Sequence, residues 1–394
     1  MTNRMFVEFH IIQTLPPSNI NRDDTGSPKT AVFGGVRRAR VSSQAWKKAT
    51  RDAFRDSAED LFMSGVVTGM RTKYAVSLVK SAIVSRRPDL ADDAEQMATK
   101  AVQHALVGKK AIAAQKGAEE KITEVVDGKP RTKYLIGLTT IQADKLAELC
   151  IDALTSDKGF DKAKAKTILQ QDNAIDVALF GRMVADDPTL NVDAACQVAH
   201  SIGIHRSETE FDYFTAVDDL SRAEREEQAA GAGMIGTVEF TSATLYRYAT
   251  VDVPHLQENL GGSVEATARV VRAFAEAFIT SMPTGKQNTF ANRTLPAAVV
   301  VQLRATQPVS LVNAFERPIE PVREKGRTEL ACEELVRQNG MLDAAFGVAS
   351  SQAFVLLAAP GTESLLALGQ QVTLTELGDA LEAVVRTRCE EEME

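Results

Sequence analysis

Apolar and other side chains alternate over residues 4–15 (Arg-Met-Phe-Val-Glu-Phe-His-Ile-Ile-Gln-Thr-Leu), which predicts a first strand ending at Pro16-Pro17. A polar loop from Asn19 to Pro28 follows, too long for a tight turn, and Phe33-Gly34-Gly35 marks a joint. Ser42 and Ser43 then offer N-cap hydroxyls, and Trp46, Ala49 and Ala53 recur at helical spacings, so a helix starts there. From about 58 to 170, Ala, Lys, Glu and Leu repeat at helical intervals, with breaks at Pro88, Gly108, Gly128-Lys129-Pro130 and Gly159. That stretch reads as a helical insertion. Residues 176–183 return to strand character. Residues 188–230 are mostly polar, with an aromatic knot at 211–215 and an acidic run at 224–228. Strands are predicted at 234–241, 243–251, 297–304, 308–315 and 351–358. Helices are predicted at 263–281, 327–338 and 374–388, with a Gly/Lys loop at 282–293. Strands at both ends with a helical block between them define an α+β core interrupted by excursions.

Composition narrows the class. A chain of 394 residues exceeds one typical domain. Its 44% apolar and 25% charged residues exclude wholesale disorder. No apolar run approaches the roughly 18 residues of a membrane span. The first residues put Glu8 inside a short apolar stretch and lack a signal-peptide plan. Cys150, Cys196, Cys332 and Cys389 are widely separated, as free thiols in a reducing compartment would be, so a cytoplasmic location is expected.

The formal net charge of −8 argues at face value against a nucleic-acid partner. Its placement reverses that. Between Lys29 and Arg55 stand eight bases (Lys29, Arg37, Arg38, Arg40, Lys47, Lys48, Arg51 and Arg55) against one acid, Asp52, a local charge of +7 that leaves −15 for the rest. Segregation of this kind marks an anion-binding surface; the plainer alternative is a solvated helix face plus a basic loop. Lys47, Arg51 and Arg55 fall on one helical stripe beside Gln44 and Lys48. Bases near a helix N-terminus oppose the dipole, and a phosphate seated on the backbone N–H groups would remove that conflict.

Other motifs carry less. Gly231-Ala-Gly233-Met-Ile-Gly236 spells G-x-G-x-x-G but precedes a strand, the reverse of a dinucleotide site. Pro283-Thr-Gly285-Lys286-Gln287 lacks the other P-loop residues, yet it puts a lysine on a loop that could meet phosphate. Cys196, His200 and His205 lack a fourth zinc ligand. Asp23 and Asp24 could hold Mg²⁺ for phosphodiester cleavage, or simply cap a polar loop beside Arg22. Phe211, Tyr213 and Phe214 make either a small local core or a wedge on which bases stack. Tyr246 and Tyr248 could form an RNA platform on a sheet but read as core-facing.

Several segments resemble the CasC family, the backbone subunit of the type I-E CRISPR Cascade surveillance complex. They are Asn21-Arg22-Asp23-Asp24, Ala31–Gly35, Arg37–Gln44, Asp176–Met183, Phe214–Leu220, Gly236–Phe240, Tyr246–Ala249, Leu256–Gly262, Gly285–Gln287 and Asn313–Glu316. These run in order over most of residues 1–320; the helical block and C-terminal third match less clearly. The resemblance implies a RAMP-superfamily protein with a modified ferredoxin-like, RNA-recognition-motif-like palm, a helical finger insertion and a protruding thumb. On this chain it implies a discontinuous palm at 1–57, 171–187 and 232–394, fingers at 58–170 and a thumb at 188–231. It also implies a non-catalytic subunit without metal or cofactor. Copies would stack head to tail along CRISPR RNA and present it in segments to target DNA beside other Cascade subunits. Carried over residue by residue, Arg22, Lys29, Arg40, Ser42, Gln44, Lys47, Lys48 and Arg51 would contact the guide backbone, and Met183 would pack near its kink. Tyr213, Phe214 and Thr215 would belong to the thumb, and Lys286 with Gln287 to the loop completing the groove. The family carries arginine where this chain has Lys48, which keeps charge but loses bidentate geometry, and tryptophan where it has Tyr213. A related RAMP backbone that cleaves guide-paired RNA with a loop aspartate is the alternative, with Asp23 or Asp24 in that role.

Overall fold

The computed structural model describes residues 4–56, 68–106, 123–133, 135–155, 159–171, 173–184, 188–216, 234–322 and 324–391. Gly108, the motif residues 217–220, the acidic run 224–228 and the Gly231 and Gly233 of the glycine motif lie outside the described residues.

The chain begins with β1 (Phe6–Ser18), the hairpin strands β2 (Thr30–Phe33) and β3 (Val36–Val41), and α1 (Ser43–Asp56). Within 68–170 come β4 (Gly69–Thr72), α2 (Ala75–Arg86), α3 (Ala94–Leu106), β5 (Thr123–Val126), β6 (Lys129–Thr132), β7 (Ile136–Thr139), α4 (Thr140–Thr155) and α5 (Lys162–Gln170). This region builds its own core from residues such as Val76, Val79, Ala101, Leu146 and Ile168. It is not purely helical: β4 pairs with β7 and β5 with β6, both antiparallel. Pairs of four-residue strands carry too little alternation to stand out from flanking helical periodicity.

The chain returns through α6 (Ile175–Phe180), β8 (Cys196–Val198), β9 (Ser201–Gly203), β10 (Glu210–Ala216) and β11 (Met234–Asp252). It ends with α7 (Val253–Asn259), α8 (Val264–Thr280), α9 (Gln287–Phe290), β12 (Ala298–Arg304), α10 (Arg327–Phe346), β13 (Gln352–Leu357), β14 (Gln370–Gln371) and α11 (Leu374–Glu391). The central sheet runs β14-β13-β12-β1-β11-β9-β3-β2, with β8 and β10 also paired to β11. Inside it, β1–α1–β9–β11–α8–β12 follow a βαββαβ path with spatial order β12-β1-β11-β9, all antiparallel. That is the ferredoxin-like arrangement.

Both faces of β1 are buried. Val7, Phe9, Ile11 and Leu15 join the core under α1, α8 and α11, and Phe9 meets the Phe274 ring edge-on at 5.3 Å. Ile12 points the other way, into a second core with Tyr246, Tyr248, Val300, Phe315 and Leu335. The face that an RNA-recognition sheet leaves open is thus covered by α10 and a 3₁₀ turn, Val312–Phe315. Tyr246 and Tyr248 are buried there, in agreement with the core-facing reading.

Four sequence expectations change. Residues 175–180 form a helix rather than a strand: Ile175 to Leu179 are buried without a break, so no alternation marks a strand, and Gly181, at φ 78°, stops the helix. Residues 308–315 end in the 3₁₀ turn, where the Leu311 N–H donates to the Tyr246 hydroxyl at 3.1 Å. The two strands predicted at 234–251 are one 19-residue strand, β11, whose exposed first half pairs with β10 and whose second half pairs with β1. β1 continues through Pro16 and Pro17, which sit at a register shift between Leu15 and Ser18, where no ladder N–H is required. No described helix is long and apolar enough to cross a membrane.

Candidate nucleic-acid interface

The start of α1 organises the basic segment. The Ser42 N–H donates to Asn21 Oδ1 at 2.8 Å, tying the helix entry to the polar loop. Ser42 Oγ accepts from the Ala45 N–H at 3.4 Å, the N-cap its sequence position promised. Trp46, fully buried, anchors the first turn by donating from its indole N–H to Ser201 Oγ at 2.8 Å. No acid occupies that turn, and Gln44 is exposed on it. No acid of α1's own first turn therefore offsets the positive end of the helix.

The cations in and beside the +7 segment are not equivalent. Arg38 is structural: fully buried, it donates to the Gly203, Phe315 and Glu316 carbonyls at 3.1 Å each. Burial alone holds its pKa below the usual arginine value. Arg51 donates to Asp176 Oδ2 at 2.9 Å, and with side-chain exposures of 17% and 7% this pair also holds α1 to α6. Lys48 pairs with Asp52 at 2.5 Å on the open face, where such a contact constrains little. Lys47 lies 5.3 Å from the Phe180 ring centroid. Arg22 is exposed on the loop, and Lys29 and Arg40 are half-buried beside it. Arg40 is braced by Thr30 O at 3.2 Å and by His200 Nδ1 at 3.0 Å.

Gln44, Lys47 and Arg51 line an open groove of about 500 Å³ together with Arg71, Phe180 and Met183. Met183 is 82% exposed, an unusual position for a methionine. The groove joins α1 to β4 of the insertion, so a basic wall, an aromatic ring and a thioether face one space. Arg71 and Phe180 belong to it and escaped the sequence reading. Phe180 stood in a quoted motif, but no local pattern distinguishes Arg71 from an ordinary surface arginine.

The Lys286 loop reaches the same region. A Cβ on Gly285 would lie 2.3 Å from the Ile20 carbonyl oxygen, so only glycine permits this loop to touch the Asn19–Asn21 turn. Lys286 follows in a left-handed conformation, φ 52°, and Gln287 starts α9. Asn19 Nδ2 donates to Gly26 O at 3.0 Å and to Glu239 O at 2.9 Å, linking the polar loop to the base of the β10–β11 hairpin. Phe240 and Phe290 bring that base to α9, their ring centroids 5.9 Å apart. Arg22, Lys29, Ser42 and Lys286 thus lie on loops joined through Asn19, Asn21 and Gly285, with Arg40 at the end of β3 and Gln287 at the start of α9 beside them.

The hairpin carries the remaining candidates outward. Phe211 and Tyr213 are 66% and 63% exposed, and Phe214 is 37% exposed. Phe214 pairs across the ladder with Gly236, where a Cβ would lie 2.4 Å from its ring. Gly236 therefore makes room for an aromatic ring. Thr215 follows on the same exposed strand. These rings do not form a local core.

The other motifs resolve on physical grounds. Asp23 Oδ1 accepts from the Thr25 N–H and Ser27 N–H at 3.0 Å each and from the Thr25 hydroxyl at 2.7 Å. The Thr25 hydroxyl bond leads the causes that lower its pKa; it caps its own loop. Burial pushes the Cys196 thiol up to about 12. His205 Nε2 accepts from the Thr244 N–H at 3.1 Å. Among the described residues, no group of three or more His, Cys, Asp or Glu side chains is placed to hold a metal ion.

The chain matches the model of the CT1975-like protein family over residues 7–380 and belongs to that family. One solved structure, a chain of a "CRISPR RNA-guided surveillance complex, pre-nicking", superposes with a TM-score of 0.79 at 34% identity, covering 96% of this chain and 100% of that one. A second, from a "CRISPR RNA-guided surveillance complex", gives 0.70 at 30%, covering 96% and 99%. Comparison with curated proteins finds no match. The fold is the α+β, RAMP-like fold of these complexes' subunits.

Proposed function

We propose that the protein is a non-catalytic backbone subunit of a type I-E Cascade complex. It binds CRISPR RNA along the start of α1 and the loops around it, and it repeats along the guide. The guide then pairs with target DNA while the protein holds backbone and shape. The observation that carries this reading is the near-complete superposition on a chain of an RNA-guided surveillance complex at 34% identity. The surface supports it: a helix start whose first turn holds no acid, cations on converging loops, and exposed aromatics on an adjoining hairpin. Single-stranded RNA is bound by this combination of backbone electrostatics and base stacking. The engagement of Asp23 Oδ1 within its own loop favours a scaffold over a Mg²⁺-dependent ribonuclease.

Co-expression with its neighbouring subunits and a CRISPR array, followed by sequencing of the RNA that co-purifies, tests the reading. Repeat-flanked guides are expected, and RNA of arbitrary sequence would sink it. Incubating that complex with complementary RNA and Mg²⁺ should leave the RNA intact; periodic cuts abolished by Asp24→Ala would establish the ribonuclease instead.

A further inference from the structure

His200, the turn residue between β8 and β9, stands against the basic loops with a defined orientation. The β3–β9 register pairs Arg40 with Ile202 and Val41 with Ser201. One step further along that ladder sets His200 opposite Ser42, the cap of α1. Its Nδ1 lies 3.0 Å from Arg40 Nη1. A guanidinium can only donate, so Nδ1 is the acceptor and the ring proton sits on Nε2. Arg40 is itself held through Nε by Thr30 O at 3.2 Å, so the ring leans on a braced partner.

The charges that act on this imidazole are Arg40 from β3 and Lys29 from the loop before β2. The first turn of α1 supplies no acid. Partial burial, then these two cations, hold the pKa of His200 below the ordinary histidine value, so it is neutral at pH 7. The surroundings are hostile to a metal cation and suited to an anion. An exposed imidazole with one nitrogen committed inward offers a single outward N–H donor.

We propose that His200 is a further guide-binding residue, its Nε2–H donating to a phosphate oxygen of the RNA seated at the start of α1. This rests on the RNA-binding reading above and adds a neutral donor to a set of cations. It also separates two roles along the Arg40 side chain. Arg40 supplies charge, whereas His200 supplies direction.

The test measures binding of a fluorescently labelled oligouridine to the full-length chain across a series of salt concentrations. His200→Ala should weaken binding by roughly tenfold, the effect of one hydrogen bond to a charged group. The dependence on salt should stay unchanged, because a neutral donor displaces no counterion. Arg40→Ala, in contrast, should lower the slope of log K against log salt by roughly 0.7. His200→Gln, with an amide donor at similar reach, should recover most of the affinity. The proposal is overturned if His200→Ala binds like the wild type, if His200→Gln binds no better than alanine, or if His200→Ala lowers the salt slope as Arg40→Ala does. That last result would make His200 only a brace for Arg40. A wild-type chain that fails to bind oligouridine overturns the underlying reading, and this proposal with it.

Discussion

Arg247 on β11 and Arg304 on β12 are both 1% exposed, on opposite faces of one sheet. Arg304 faces α10. Its Nε donates to Glu8 at 2.7 Å, Nη1 to Asp343 at 3.0 Å and Nη2 to Asn339 at 3.0 Å. Arg247 faces α1 and α8, where the hydrogen-bond acceptors that hold it are neutral. It lies 3.7 Å from the Trp46 ring centroid and 4.7 Å from that of Phe278. It donates to Gln13 Oε1 at 2.6 Å and to the Phe278 carbonyl. One face therefore buries a guanidinium by neutralising it, and the other by stacking it between aromatic rings. The difference has a functional side. The charge-locked face closes the sheet surface that other RNA-recognition folds expose. The stacked arginine ties Trp46, at the first turn of α1, to the strand and to Gln13, which donates to Thr294 O at 2.9 Å beyond the Lys286 loop.

The contrast breaks most visibly at Arg304. Arg304→Met leaves Glu8 buried without its cation and should cost about 3–5 kcal/mol in denaturant unfolding. A loss below about 1 kcal/mol would show that the network does not lock this face. The effect should also depend on pH. Burial pushes the pKa of Glu8 up, but the neighbouring His10 ring, the Val309 N–H and Arg304 outweigh it, so the folded value is lowered. Its stabilisation is present above the unfolded pKa and is lost as pH falls through the folded one. Without Arg304 the burial effect gains, Glu8 protonates more readily, and the penalty of Arg304→Met should shrink as pH is lowered through the carboxylate range.

Arg247→Met should cost less, about 1–3 kcal/mol, because it strands neutral acceptors and no carboxylate. Burial already lowers the Arg247 pKa to about 9, which marks how poorly its charge is compensated. If this variant proved as damaging as Arg304→Met, stacking would be holding the sheet as firmly as ion pairing does.

Much of the palm could be read from local pattern, and its closure could not. β1, α1, α8 and β12 announce themselves because each buries a continuous face, as the alternation of Val7, Phe9 and Ile11 shows. β8 and β9 have three residues each, too few for any period, and they become strands because β11, and for β9 also β3, offers them a ladder. The cover over the sheet depends on contacts such as Glu8 with Arg304, nearly 300 positions apart, which no window can show. At the candidate interface, charge counting marked out a segment but could not sort its members. Arg38 and Arg51 carry the same formal charge as Lys47 and Lys48, yet one holds three carbonyls and the other Asp176, 125 positions away. Sequence spacing reveals where cations are, and only packing reveals which are free to meet an anion.

That sorting yields the smallest effect on stability. Lys48 and Asp52 are 69% and 41% exposed, and an exposed pair at i,i+4 contributes only a few tenths of a kcal/mol. Lys47 adds a contact with the Phe180 ring at 5.3 Å, of similar size at an open site. Lys47→Ala combined with Lys48→Ala should therefore change unfolding free energy by less than about 1 kcal/mol. Arg51 is left intact, because its removal would strand Asp176 and confound stability with binding. If both lysines meet guide phosphates, the slope of log K against log salt for single-stranded RNA should fall by roughly 1.4, at 0.7 per phosphate. An unchanged slope at unchanged stability would remove these two lysines from the interface and leave the loops around Asn21 as its centre.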